Sequence, residues 1–529
     1  MSPARDQSVV DLIDRFGAAA PAELPAATTA LTDALWQRGR STGAAPDAAT
    51  LLLGRWSTFD GDRQGRLAVL LGLLVDAEYP TTDGPVARAV RAALPDLLAT
   101  LTAGTPDEPR TLALLYLLGQ LPDDRDRILA AAGTLALSDP DRTRLERSLA
   151  DLDPDAPDLG RCWPSPSVWR LDGEEQQFDQ SFIRGLTPEQ VLHNWRNDTR
   201  MVRSYAGAKA YWAVRYGTPV PVVPIPVPAE DGTSSTDTGP LARYANLFRC
   251  PDCGAKLEIA DTSARCADCG TTYPIVNGIL ALASGVRDGY RAGHDATDDL
   301  LQKLAAMPRM GAYYESVLRP SFLRLAGSNW GEAVSHADED RYLATHLAPA
   351  DAPVLDLAAG AGRWTEVIAR AVGAENLIAL DMALPMLNVL RARLPEVAAV
   401  QASALALPFD DGSLGAVNCW NALHAFPDDA AAALREMGRV LRPGGKLTLM
   451  TFCFDPDPVY RFFQESHYFP SRPEGMLLFE RDEVRRWLAD AGLRIVEEQD
   501  PETFFFVTAE RTSTPLAPVP DTAASGAAR

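Results

Sequence analysis

Two groups of residues have types and spacings that could do chemistry. The first lies in FRCPDCGAKLEIADTSARCADCGTTYPIVNGILAL, where Cys250 and Cys253 form one C-x-x-C pair and Cys266 and Cys269 form another. Four thiolates from two tight turns can close a tetrahedron around zinc. Gly254 and Gly270 follow the second cysteine of each pair and let the knuckle turn back on itself. Such a closed site leaves no position for water, so the expected metal is structural. A metal-free ribbon and a redox pair are the alternatives. The second group begins in PVLDLAAGAGRWTEVIARAV, where Asp356, Ala358, Gly360 and Gly362 occupy a turn between an apolar strand and a helix. Backbone amides there can approach a ligand at the helix N-terminus. Asp381 closes the next strand, LIALDM, where a carboxylate can accept from both hydroxyls of a ribose. By itself this pattern also fits NAD.

Histidines supply the candidate proton acceptors: His424 in the NALHAF loop, His467 in QESHYFPS, and His336 in the helix leading into the domain. For each, a solvated or packing histidine is the plainer reading.

The second group needs a frame that alternates strand and helix. From 353 the chain gives an apolar strand, a glycine turn and a helix, then LIALDM, AAVQASALALPF, LGAVNCWNALHAF and LRPGGKLTLMTFCF, and finally the pair RIVEEQD and TFFFVTAE. This βαβ periodicity predicts a mostly parallel sheet.

The blocks VLDLAAGAGRWT, ALALPFDDGSLGAV and ALREMGRVLRPGGKLTLMTF, in this order, resemble class I methyltransferases of the ubiquinone/menaquinone-biosynthesis type. The resemblance covers about 353–510. It implies a doubly wound, Rossmann-like sheet of seven strands, with the last hairpin strand antiparallel, and S-adenosylmethionine as cofactor. Carried over, Asp356, Ala358, Gly360 and Gly362 would surround the methionine part. Asp381 would hold the ribose and Met382 the adenine face. Ser403, Ala404 and Leu405 would line the adenine edge, and backbone from Asn418 to Trp420 would close over the amino-acid moiety. Two positions depart from the family: Ala358 replaces the first motif glycine, and Ser403 stands where an acid usually accepts from the adenine amino group. Both imply weaker cofactor binding, since a hydroxyl accepts less strongly than a carboxylate. The run Tyr273-Pro274-Ile275-Val276-Asn277-Gly278-Ile279 resembles the small zinc ribbons that partner and activate methyltransferases. It implies a module that docks on a methyltransferase core. In such a family the segment 300–346 caps the cleft, making Tyr313, Tyr314 and Trp330 candidate cleft residues, with a simple packing role as the alternative. His467 would fall in a variable substrate-covering segment.

The full reading is multidomain: α plus α/β. Residues 1–217 read as helices, either a HEAT-like array or an irregular bundle. The segments 66–79, 85–101, 109–121 and 138–152 carry the apolar periodicity, with Ser138 as an N-cap. Thr187, Pro188 and Gln190 start a long helix bearing Trp195, Tyr205, Tyr211, Trp212 and Tyr216. These aromatics suit packing, or else the lining of a substrate cavity. A Pro/Gly/Ser-rich linker over 218–243, the ribbon over 244–285, the methyltransferase domain over 290–511 and a disordered tail over 512–529 complete the division.

Composition bounds the partners. The chain has 529 residues and a formal charge of −21. That acidity argues against a nucleic-acid partner without excluding one, because polyanions are bound by Lys and Arg. No apolar run is long enough to span a membrane, and the opening MSPARDQSVVDLIDRF is no secretory signal. A cytoplasmic setting follows, which favours metal over disulfide for the cysteine pairs. Cys162, Cys419 and Cys453 are scattered. A small-molecule acceptor is the leading expectation. An RNA or protein methyltransferase, or a cofactor-binding scaffold without methyl transfer, are the alternatives. A homodimer is compatible with the sequence.

Overall fold

The computed structural model describes residues 8–157, 183–222, 236–283, 319–347, 352–467 and 476–513, with Glu315 and a few positions between 173 and 181. Tyr313, Tyr314, Trp163, Trp169, Cys162 and most of the linker and tail segments lie outside the described residues. The chain folds as two compact units, Met1–Val222 with Asp455–Met476, and Val223–Phe454 with Leu477–Arg529.

The first unit is helical. Its sheet structure among the described residues is one short hairpin, β1 (Trp36–Gln37) and β2 (Arg40–Ser41). The helix Gly61–Asp76 buries every residue from Leu67 to Val75, so it is central to the bundle. The apolar run 85–101 folds as two helices, Pro85–Ala92 and Leu94–Thr102. Pro95 cannot donate a backbone hydrogen bond, which ends one helix and starts the next. Ser138 caps Asp139–Ser148 by accepting from the Asp141 N–H. Thr187 and Gln190 form a reciprocal capping box on the helix Pro188–Tyr216. In that helix Trp195 and Tyr205 are buried, while Tyr216 is exposed.

This unit also takes in a segment expected elsewhere. Asp455–Met476 leaves the second unit and folds with the helices, so the methyltransferase region at 290–511 is not one uninterrupted body. The reason is the amphipathic helix Pro458–Ser466. Its Phe462 stacks edge-on to Trp36 and its Phe463 edge-on to Tyr116, at 5.0 and 5.5 Å between ring centroids.

The second unit is built on a single sheet. Its strands are β3 (Leu257–Ile259), β4 (Ser263–Cys266), β5 (Thr272–Val276), β6 (Ile279–Ala281), β7 (Val354–Leu357), β8 (Leu377–Asp381), β9 (Ala398–Gln401), β10 (Leu414–Trp420), β11 (Leu441–Phe452), β12 (Leu493–Gln499) and β13 (Phe504–Arg511). They run in the order β12-β13-β11-β10-β7-β8-β9-β6-β5-β4-β3. β6 to β11 pair in parallel wherever they adjoin, and β13 lies antiparallel between β11 and β12. Apart from Asp356 in β7 and Asp381 at the end of β8, strands β7 and β8 are apolar, as a sheet covered on both faces requires.

A separate ribbon beside a seven-stranded sheet was the expectation; instead the two form eleven strands of one sheet. The junction is β6, whose three residues are all buried and pair with β9: Ile279 opposite Ala399, Leu280 opposite Val400, Ala281 opposite Gln401. Tyr244, Phe248, Leu257 and Tyr273 from the ribbon share one apolar core with Leu355, Ile378 and Val400 from the sheet. Among the described residues no helix is long and apolar enough to cross a membrane.

Candidate functional site

The cysteine centre is assembled by two matching knuckles. In each, the N–H of the glycine bonds back to the carbonyl of the first cysteine, Gly254 to Cys250 and Gly270 to Cys266. The amide of the first cysteine bonds to the carbonyl five residues on, Cys250 to Ala255 and Cys266 to Thr271. Gly254 and Gly270 sit at φ +76° and +75°, a conformation that a β-carbon would strain. The four sulfurs all lie within 4.8 Å of one another. Cys250 Sγ is 3.7 Å from Cys269 Sγ, and Cys253 Sγ is 3.4 Å from Cys266 Sγ. Zinc–sulfur bonds of about 2.3 Å in a tetrahedron put the sulfurs roughly 3.8 Å apart, so the donor set fits zinc. Outer partners are in place: the Tyr273 hydroxyl is 3.1 Å from Cys250 Sγ and donates to Asp252 Oδ2 at 2.9 Å. Thr271 Oγ1 lies 3.2 Å from Cys269 Sγ.

The glycine turn follows β7. Ala358, Gly360 and Gly362 all have positive φ, at 57°, 55° and 92°. Ala358 therefore holds a left-handed conformation that costs an L-residue about 1–2 kcal/mol. A β-carbon on Gly362 would meet Leu390 at 3.0 Å, so this glycine also sets how closely the helix Arg363–Val372 packs. A β-carbon on Gly360 would meet nothing within 4 Å, leaving open space above the turn.

Asp381 ties this turn to the neighbouring strand end. Its Oδ2 accepts from the Gly360 N–H and its Oδ1 from the Ala383 N–H, both at 2.8 Å. A carboxylate offers about four acceptor positions. Its remaining lone-pair capacity can accept from a ribose hydroxyl. Burial raises its pKa, while the amides of Ala383, Gly360 and Met382 work to lower it. Gln401 Nε2 donates to the Met382 carbonyl and the Ala402 amide to the Asp381 carbonyl, joining the ends of β8 and β9. The Ser403 hydroxyl accepts from the Leu405 N–H at 3.1 Å, which holds the Ser403–Leu405 turn. Met382, Ser403 and Ala404 are half-buried and Leu405 is exposed.

The side chains of Asp356, Asn418 and Trp420 face inward. Asp356 is buried, accepting from Thr365 Oγ1 at 2.6 Å and Asn418 Nδ2 at 2.7 Å. Asn418 Oδ1 in turn accepts from Thr448 Oγ1 at 3.0 Å. This chain cross-links β7, β10, β11 and the helix after the turn. Burial pushes the Asp356 carboxyl up to about 6, against the lowering pull of Thr365 and Asn418. Trp420 is also buried, and its Nε1 donates to Glu339 Oε1 at 3.1 Å. Only the backbone of Asn418 and Trp420 is left to face a ligand.

Glu339 belongs to a buried charge cluster that the spacing of the sequence does not reveal. It pairs with Arg319, whose guanidinium lies 4.4 Å from the Trp364 ring centroid and 2.6 Å from His336 Nε2. Burial, reinforced by Arg319, lowers the His336 pKa. Trp330 is buried too. One sequence signal existed for the first chain: an acid inside the apolar run VLDL must find donors. The Arg319–Glu339 pair has no such signal, because its members sit on separate helices.

The histidines divide. His424 is buried in the second unit against Phe322 and Phe452, at 4.8 and 5.3 Å between centroids. Burial holds it down at about 3, so it is neutral at pH 7 and a weak proton acceptor. His467 belongs to the helical unit, with its Nδ1 3.2 Å from Ser204 Oγ; burial pushes it down to about 3 as well.

Comparison with known proteins bears on this geometry. Residues 354–445 match the methyltransferase domain family. The chain is 36% identical over 159 residues to a ubiquinone/menaquinone biosynthesis C-methyltransferase of Hahella chejuensis, covering 28% of this chain and 63% of that protein. It is 35% identical over 114 residues to a demethylmenaquinone methyltransferase of Lactococcus lactis, 20% of this chain and 45% of that protein. An uncharacterised methyltransferase of Mycobacterium bovis is 43% identical over 98 residues, 18% of this chain and 38% of that protein. The chain thus spans less than two thirds of each of these relatives. Residues 354–445 are thus similar to methyltransferase domains.

Proposed function

We propose that the protein transfers a methyl group from S-adenosylmethionine to a small-molecule acceptor. The observation that carries this is the left-handed turn at 358–362, tied through the Gly360 amide to the Asp381 carboxylate, within the segment that matches methyltransferase domains. The open space above Gly360 and the carboxylate of Asp381 suit a nucleoside with vicinal hydroxyls. Met382 would pack on the adenine, and the turn Ser403–Ala404–Leu405 would line its edge. Asp356 acts through Thr365 and Asn418, fixing the turn without touching the cofactor. Trp420 contributes backbone.

When bound, the cofactor supplies an electrophilic methyl whose leaving group departs as a neutral thioether. The residues of this chain then orient the acceptor and exclude water. His424 is too weak a base to serve at neutral pH, so an acceptor with an acidic proton suits the site better than an unactivated one. The relatives named for menaquinone and ubiquinone biosynthesis support a small acceptor, as does the charge of −21. Cys250, Cys253, Cys266 and Cys269 hold a structural zinc in a ribbon over 244–285 that braces the β9 edge.

Native mass spectrometry of the full chain tests this. We expect one zinc and one S-adenosylmethionine per chain, with zinc but no cofactor on Asp381→Ala. Zinc without cofactor on the wild-type chain, at millimolar excess, would leave a scaffold as the better reading.

A further inference from the structure

The order β7-β8-β9 sets three loops side by side at the ends of parallel strands: the turn at 358–362, the loop Asp381–Ala383 and the turn Ser403–Leu405. A cofactor laid across them would have its nucleoside over the middle loop. What fixes that loop then decides how the nucleoside is held.

One peptide unit of the middle loop is gripped at both ends. Its N–H, that of Ala383, donates to Asp381 Oδ1 at 2.8 Å. Its carbonyl, that of Met382, accepts from Gln401 Nε2 at 3.0 Å. A carbonyl can only accept, so it settles which end of the Gln401 amide faces it. Rotation of this peptide would free Asp381 Oδ1 and swing the Met382 side chain. The other carboxylate oxygen of Asp381 holds the Gly360 N–H at 2.8 Å. The grip of Gln401 therefore reaches the glycine turn through one peptide and one carboxylate. The backbone of Gln401 has separate duties. It lies opposite Asp381 in β8 and opposite Ala281 in β6, and its carbonyl accepts from the Leu282 N–H at 2.9 Å. The Ala402 N–H donates to the Asp381 carbonyl at 3.2 Å. These pairings use main-chain atoms alone, so the half-buried side chain at 401 can be changed without dismantling the sheet.

We propose that Gln401 is a positioning residue for the cofactor: its side-chain amide holds the Met382–Ala383 peptide, and through it the Asp381 carboxylate and the Met382 side chain, in place for the nucleoside. This role rests on the methyl-transfer reading, because the nucleoside is that of S-adenosylmethionine.

Titration calorimetry on the full chain tests it, with S-adenosylhomocysteine as the probe and methylthioadenosine as the nucleoside that lacks the amino-acid part. Gln401→Met keeps the length and removes the donor, so both probes should bind about tenfold more weakly. Gln401→Glu keeps the shape. Ionised, it cannot donate to the Met382 carbonyl and it repels Asp381 opposite; protonated, it donates again. Its affinity relative to the wild type at the same pH should be lowest at about pH 7.5 and approach the wild-type value at about pH 5. The ratio for Gln401→Met should not change with pH. A purely structural role would leave both ratios flat. Wild-type affinity in Gln401→Met would overturn the role of Gln401 alone. So would a loss confined to S-adenosylhomocysteine, or a Gln401→Glu deficit that ignores pH. A wild-type chain that binds neither probe would instead overturn the methyl-transfer reading, and the role of Gln401 with it.

Discussion

The two edges of the eleven-stranded sheet are built on different principles. At one edge β3 to β6 are strands of three to five residues, with four sulfurs gathered between the knuckles. At the other, β12 and β13 are seven and eight residues long, and β13 pairs with β11 from Phe504 opposite Phe452 to Glu510 opposite Lys446. Phe504, Phe505, Phe506 and Val507 are buried there. A short strand buries too little apolar surface to offset its ordering entropy, so it needs a cross-link; a long apolar hairpin does not.

The largest effect should come from removing the proposed zinc. Cys250→Ser with Cys266→Ser should abolish zinc binding. Structural zinc is worth roughly 10–16 kcal/mol in small fingers, so amide exchange over 257–281 should lose its protection while 493–511 keeps it. Loss of protection at both edges would break the contrast. Phe505→Ala at the opposite edge should cost about 3–5 kcal/mol in urea unfolding, with the zinc content of the folded protein unchanged.

Between the edges, Asp356 sharpens the comparison through pH. Its folded pKa of about 6 lies above the ordinary 3.8, so the folded state holds the proton more tightly than the unfolded chain. Its contribution is fully present below about pH 4 and is lost as pH rises through 6, up to about 3 kcal/mol. Asp356→Asn should lack that decline when both proteins are unfolded in urea from pH 4 to 7. The smallest effect is Ala358→Gly. Relief of the left-handed strain, less the extra freedom of glycine in the unfolded chain, should stabilise by about 0.5–1 kcal/mol, read as a raised melting temperature.

What could be read from the sequence follows the same division. The cysteine pairs, the positive-φ glycines and the acid at the end of β8 announce themselves, because each is fixed by its immediate neighbours. The β6–β9 junction does not: Ile279–Ala281 is three apolar residues, and nothing local tells a parallel partner more than a hundred residues away. The departure of Asp455–Met476 into the helical unit was hidden for a like reason. Phe462 and Phe463 pack on Trp36 and Tyr116, partners far off in the sequence that no local pattern names. The inward turns of Asp356 and Trp420 depend on Asn418, Thr365 and Glu339, which no fixed spacing connects to them.

The pairing of β6 with β9 has a consequence for dilution. Two separate chains joined by three residues of parallel strand would come apart as their concentration fell. Here both strands are on one chain, so the encounter is intramolecular and its effective concentration is independent of how much protein is present. The turn at Ser403, two residues beyond the Gln401–Ala281 pair, thus keeps the same neighbour at every expression level.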